Sequence, residues 1–159
     1  MSSNMKWPAN IVIVRHGESE QNRERADVYR GTRKDFSEKM KNTRNADIAL
    51  TKKGISQAKA TGRLLKQEFK NFDAVFVSPF KRAQQTAENI LDAWPKEIPT
   101  IVSEGRIREK EFGIFHATTK EEIQKQYPEW YHLKEVEEKY YFRPPGGESY
   151  PDIELRLHS

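Results

Sequence analysis

Four consecutive β-branched residues, Ile11-Val12-Ile13-Val14, run directly into Arg15-His16-Gly17. A continuous apolar run of this kind predicts a strand buried on both faces of a parallel sheet. A sheet of that type needs helices packed on its faces, and the downstream sequence supplies them. Thr51 is placed to cap a helix in which Ile55, Ala58, Gly62, Leu65 and Phe69 recur at three- and four-residue steps, giving one buried stripe. Asp73 to Val77 reads as a second buried strand. Ser78-Pro79 reads as the start of a helix reaching about Trp94 and closed by Pro95, and Thr100 to Ser103 as a third strand. Residues 119–138 are predicted mostly helical with a break at Tyr127-Pro128. A rigid turn, Arg143-Pro144-Pro145-Gly146-Gly147, precedes a last helix that starts at Ser149 or Tyr150 with Pro151 in its first turn.

Strands alternating with helices predict an α/β fold, a three-layer α/β/α sandwich with a largely parallel central sheet, in a single domain over residues 1–159. The last helix reaches Ser159 with no glycine cap and no strand behind it, leaving Ile153 and Leu157 in want of a partner. The expectation is a domain truncated at its C-terminus, with a further strand and helices belonging beyond Ser159.

Composition narrows the function classes. The chain has no cysteine, which excludes disulfides, thiolate catalysis and sulfur-ligated zinc. The net charge of +4 is small, and its basic and acidic residues are interleaved, which fits an anionic small molecule better than nucleic acid. The aromatics show no base-stacking spacing. No apolar stretch approaches the length needed to cross a bilayer, and the N-terminus has no signal-peptide run, so a cytoplasmic protein without a membrane partner is expected. Residues 23–47 carry eight basic against five acidic side chains with no clear period. They predict loop with some helix: a solvated face, or a wall touching substrate.

Ligands of open parallel sheets bind beyond the carboxyl ends of the strands. Two such ends carry arginine here. The first strand delivers Arg15 and His16; the second leads to Arg82 in the first turn of a helix whose N-terminal dipole favours an anion. Two guanidinium forks beside an imidazole suit a phosphate, with His16 as nucleophile and the arginines neutralising the phosphoryl oxygens. An acid must then protonate the leaving oxygen. The segment Ile107-Arg108-Glu109-Lys110-Glu111-Phe112-Gly113 offers Glu109 and Glu111, between which spacing does not choose. A partly buried carboxyl close to phosphate would have its pKa raised, as such an acid requires.

At these residues the chain resembles the histidine phosphatase superfamily, which includes cofactor-dependent phosphoglycerate mutases. RHGESEQN at 15–22, LTKKGISQAKATGRLL at 50–65, VSPFKRAQQTA at 77–87, IREKEFGIF at 107–115 and PPGGESYPDIELRL at 144–157 match that family's motifs in order. The resemblance implies that His16 is phosphorylated, that Arg15 and Arg82 clamp the phosphate, that Glu109 is the proton donor and that Asn22 touches the phosphoryl group, with no metal and no cofactor. Two departures stand out. The family's second pocket histidine, written His-Gly at a strand end, matches none of His116, His132 and His158. Ala117 stands where many members have glycine.

The expected activity is phosphomonoester hydrolysis of a small phosphorylated metabolite. Gly113-Ile114-Phe115 followed by Lys120-Glu121-Glu122-Ile123 is more similar to the phosphatase branch than to the mutases, which carry a glutamine-glycine step there. A phosphoglycerate-type mutase and a catalytically inactive phosphate-binding module are the competing readings. Trp7, Trp94 and Trp130 are expected to be packing residues.

Overall fold

The computed structural model describes residues 8–94 and 99–159, with Trp7 and Pro95 falling outside them. The architecture is mixed α/β. Its best-formed unit is the stretch of alternating strand and helix in the middle of the chain. Helix α3, Lys52–Glu68, starts where the sequence places it: Thr51 accepts a hydrogen bond from the Gly54 amide at 3.0 Å. Strand β1, Ala74–Val77, follows. Helix α4, Lys81–Leu91, packs against α3, and strand β2, Thr100–Ser103, then pairs with β1 in parallel, Ala74 opposite Thr100 through Val77 opposite Ser103.

The α3–α4 contact is close because Gly62 has no side chain; a Cβ there would lie 2.5 Å from the Ile90 carbonyl oxygen. Around that approach Ala58, Ile90 and Trp94 form a buried cluster with Leu65 and Phe72 against it. Trp94 is a packing residue as expected, and its indole N–H donates to the Lys70 carbonyl at 2.8 Å. Trp130 instead lies exposed.

The charged region after His16 is more ordered than its composition implies. Helix α1, Glu20–Tyr29, has no apolar stripe, and the expectation of loop with some helix over residues 23–47 gave it no bounds. Two polar devices hold it. Ser19, buried to 1% exposure, forms a capping box with Asn22. Glu24 is also buried and accepts from the backbone N–H and the hydroxyl of Ser37, at 2.8 and 2.7 Å. Burial pushes the Glu24 carboxyl up, but these two bonds and the charges of Arg33 and Arg23 outweigh it and hold the pKa below the ordinary carboxylate range. Beyond a four-residue helix α2, Glu38–Lys41, the side chains of Phe36, Met40 and Ile48 form a second core with Ala117. Part of this region is therefore ordered structure rather than open loop.

Ala117 has φ +48°, a left-handed conformation that favours glycine. The strain costs about 1–3 kcal/mol. The buried methyl returns about 0.8 kcal/mol, and alanine has less chain entropy to lose than glycine. Ala117→Gly should therefore move stability by less than about 1 kcal/mol, whereas a β-branched side chain both overfills the cluster and worsens the strain. Ala117→Val should cost about 3 kcal/mol in thermal unfolding.

The C-terminal third is helical. Helix α5, Lys120–Gln126, and α6, Pro128–Tyr141, meet at Tyr127, and α7, Tyr150–His158, is capped by Ser149 with Pro151 in its first turn. Two expectations need correction. Residues 11–14 belong to no strand and lie at the surface, Ile13 being 92% exposed, and Phe76 of β1 is 61% exposed. β-branching gives a segment the propensity for a buried strand, but burial needs neighbouring strands, and among the described residues only β1 and β2 pair in a sheet. Ser78 and Pro79 also precede the helix rather than opening it: Phe80 is the N-cap, without a side-chain bond. Arg82 nonetheless falls in the first turn. No helix of the described residues is long and apolar enough to cross a membrane.

Candidate active site

Arg15, His16 and Gly17 leave the unpaired segment 11–14 and press against the start of α3. A Cβ on Gly17 would collide with the Gly54 backbone, and one on Gly54 with the Glu18 carbonyl, so this passage admits only glycine at both positions. The Gly17 amide donates to Thr86 Oγ1 at 3.2 Å, and the Thr86 hydroxyl donates to the Arg82 carbonyl at 2.7 Å. The histidine loop is thereby joined to the first turn of α4, which carries Arg82.

His16 Nδ1 lies 2.7 Å from the Gly17 carbonyl oxygen. A carbonyl can only accept, so Nδ1 carries the proton and the neutral ring presents a bare Nε2. Burial lowers the His16 pKa below its ordinary value. The Gly17 bond opposes this, the charges of Arg82 and Arg15 lower it further, and Glu109 opposes them.

Arg82 is buried to 4% exposure, and its Nη1 donates to the Asn45 carbonyl at 2.7 Å. Burial lowers its pKa, with Glu109 and Glu111 opposing and Arg25 reinforcing. Both candidate carboxylates, Glu109 and Glu111, act on Arg82, and Glu109 also opposes the lowering at His16. The sequence expectation that this acid is partly buried does not hold: Glu109 is exposed, with one oxygen accepting from the Lys110 amide at 2.9 Å. Asn22 is turned to structure, its Oδ1 accepting from the Ser19 amide at 3.1 Å. A cleft of about 270 Å³ opens beside the histidine, walled by Arg15, His16, Gln57, Thr61 and Thr86; Arg82 and Glu109 act on the ring from outside that wall. Among the described residues no three His, Asp or Glu side chains gather as a metal site would.

The segment from Arg108 to Glu111 is held by Glu148, which sequence reasoning did not single out. Glu148 accepts from Arg108, from the Glu111 amide at 3.0 Å and from Arg156 Nε at 3.0 Å, and its own amide donates to the Glu111 carbonyl at 2.9 Å. Burial pushes this carboxyl up; the bonds from Arg156 and Glu111 and the nearby arginine charges prevail and keep it below the usual carboxylate range. Its bracing therefore persists at neutral pH and fades only as pH falls through that lowered value.

The sequence profile of the histidine phosphatase superfamily (branch 1) matches residues 11–159. The chain belongs to this superfamily. Among curated relatives, the 2,3-bisphosphoglycerate-dependent phosphoglycerate mutase of Mesorhizobium japonicum is 31% identical over 147 residues, covering 92% of this chain and 64% of the relative. That of Methylobacterium radiotolerans is 32% identical over 148 residues, covering 92% and 62%. The chain therefore spans less than two thirds of the length of these relatives. The alpha-ribazole phosphatase of Shigella flexneri superposes with a TM-score of 0.69 at 23% identity, over 91% of this chain and 61% of that one. A mycobacterial glucosyl-3-phosphoglycerate phosphatase gives 0.57 at 23% identity, over 89% and 57%. These likenesses establish the superfamily's fold, and its members include phosphatases and mutases.

Proposed function

We propose that the protein is a phosphomonoester hydrolase that works through a phosphohistidine on His16. The observation that carries this reading is the 2.7 Å contact of His16 Nδ1 with the Gly17 carbonyl, which leaves Nε2 bare beside a cleft that Arg15 also lines. With Nδ1 protonated, the Nε2 lone pair attacks phosphorus in line, the P–O bond to the leaving group breaks, and Glu109 delivers a proton to the departing oxygen. Water, deprotonated by the resulting Glu109 carboxylate, then attacks phosphorus, and the N–P bond breaks to release inorganic phosphate and return the neutral His16 ring. Arg15 and Arg82 balance the oxygen charges in both steps. Asn22 Nδ2 has no protein acceptor among the described residues and is available to a phosphoryl oxygen. The substrate is a small phosphorylated metabolite in the cytoplasm, and the reaction draws on no metal or cofactor.

A mutase is the second reading, favoured by the names of the curated relatives. The two separate in one assay: release of phosphate from 3-phosphoglycerate and from an aryl phosphate supports the hydrolase, whereas intramolecular phosphoryl transfer far faster than release supports the mutase. Glu109→Gln provides the matching mechanistic test. It should slow an alkyl phosphate by about 100-fold or more and an aryl phosphate far less, because a phenolate leaves without protonation. Equal losses on both would remove Glu109 from the role of acid.

A further inference from the structure

We infer that Asn45 is a positioning residue that fixes the proton-donor segment relative to the phosphate clamp. The inference rests on the hydrolytic reading above.

Asn45 opens a short 3-10 turn, Asn45–Asp47, in the basic region after the nucleophile, and it is buried to 6% exposure. Its two polar ends face in different directions along the site. The backbone oxygen accepts from Arg82 Nη1 at 2.7 Å, and the side-chain Nδ2 donates to the Lys110 carbonyl at 3.4 Å. The Lys110 amide in turn donates to the Glu109 carboxylate at 2.9 Å. A single residue thus joins the guanidinium that would grip phosphate to the segment that would supply the proton.

The turn itself is held independently of the site. The Asp47 amide donates to the Arg44 carbonyl at 2.9 Å, and Ile48 just beyond is 1% exposed in the core with Phe36 and Met40. On its other side, His116 Nε2 lies 3.0 Å from the Thr43 carbonyl, and Lys41 pairs with Glu122 at 2.6 Å. A bond of 3.4 Å is at the long limit for an amide donor, so its own energy is small. Its effect is geometric: it ties Lys110, and through it Glu109, to a fixed point. Misplacing a catalytic group by about 1 Å can cost as much as 100-fold in rate.

Substitution separates the two ends, because the backbone acceptor for Arg82 survives any side-chain change while the link to Lys110 does not. Asn45→Ala is expected to slow an alkyl phosphate by about 10-fold and an aryl phosphate by less than about 3-fold. Inhibition by inorganic phosphate should stay within about 2-fold, since Arg82 keeps its partner. In a Glu109→Gln background the same change should cost no further rate on the alkyl ester, the non-additivity of two residues acting as one. Asn45→Ser, whose hydroxyl is too short to reach Lys110, must give the same pattern and replaces alanine should that variant fail to fold. Equal losses on both esters, a large loss of phosphate affinity, or additivity with Glu109→Gln would each overturn the role of Asn45 while leaving the hydrolase intact. A wild-type protein that releases phosphate from neither ester overturns the hydrolytic reading, and this inference with it.

Discussion

His16→Ala is expected to abolish turnover, lowering it by about 10⁴-fold or more, and to remove an acid-labile, alkali-stable phosphoryl adduct that the wild-type protein forms during the reaction. The size follows from the chemistry. Without the imidazole no covalent intermediate can form, and water would have to attack phosphorus with nothing to replace the lost step. The loop around His16 is fixed by backbone contacts at Gly17 and Gly54 and by the Gly17–Thr86 bond, none of which involves the ring. The variant should therefore keep its fold, and circular dichroism with thermal unfolding checks that. A label trapped on any other residue, or turnover within 10-fold of wild type, would refute the covalent route.

The second large effect is at Arg82. Arg82→Ala should reduce turnover by about 10³-fold on aryl and alkyl phosphates alike, because phosphoryl charge is present whatever the leaving group. That uniformity distinguishes it from Glu109 and Asn45, whose losses depend on the leaving group. Removing the side chain also strands the Asn45 carbonyl, at a cost of about 1–3 kcal/mol in stability. Arg82→Lys should not restore the rate, since an ammonium cannot hold the Asn45 oxygen and make planar bidentate contact with phosphate together. Steady-state kinetics on both esters measure this, and a loss below 10-fold in Arg82→Ala would take the residue out of the clamp.

What the sequence made legible is what short-range chemistry determines. Thr51 and Ser149 as caps, the stripe of α3, the break at Tyr127-Pro128 and the strand segments β1 and β2 all follow from local signals. Arg82 in the first turn of α4 was readable for the same reason, although the cap itself fell two residues late. Helix α1 was not readable, because its stability comes from Ser19 with Asn22 and from Glu24 meeting Ser37 thirteen positions on, rather than from a periodic apolar face. The pairing of Ser19 with Asn22 three residues later was the available signal. The surface position of residues 11–14 was illegible because burial of a strand depends on its neighbours. Asn45 and Glu148 were missed because their importance lies in contacts 37 or more residues distant, to Arg82 and to the 108–111 segment. The motif around residue 109 left Glu109 and Glu111 equivalent by spacing alone, and the choice of Glu109 rests on the family resemblance.

Nitrogen-15 NMR of His16 through a pH titration tests most directly whether this ring is built as a nucleophile. The neutral ring should be the Nδ1–H tautomer, held by the Gly17 carbonyl, and should titrate below the ordinary 6.5. In Arg82→Ala the midpoint should rise, because both burial and a repelling charge are reduced. A neutral ring protonated on Nε2, or a midpoint above 6.5 that Arg82→Ala leaves unmoved, would contradict the account at its centre.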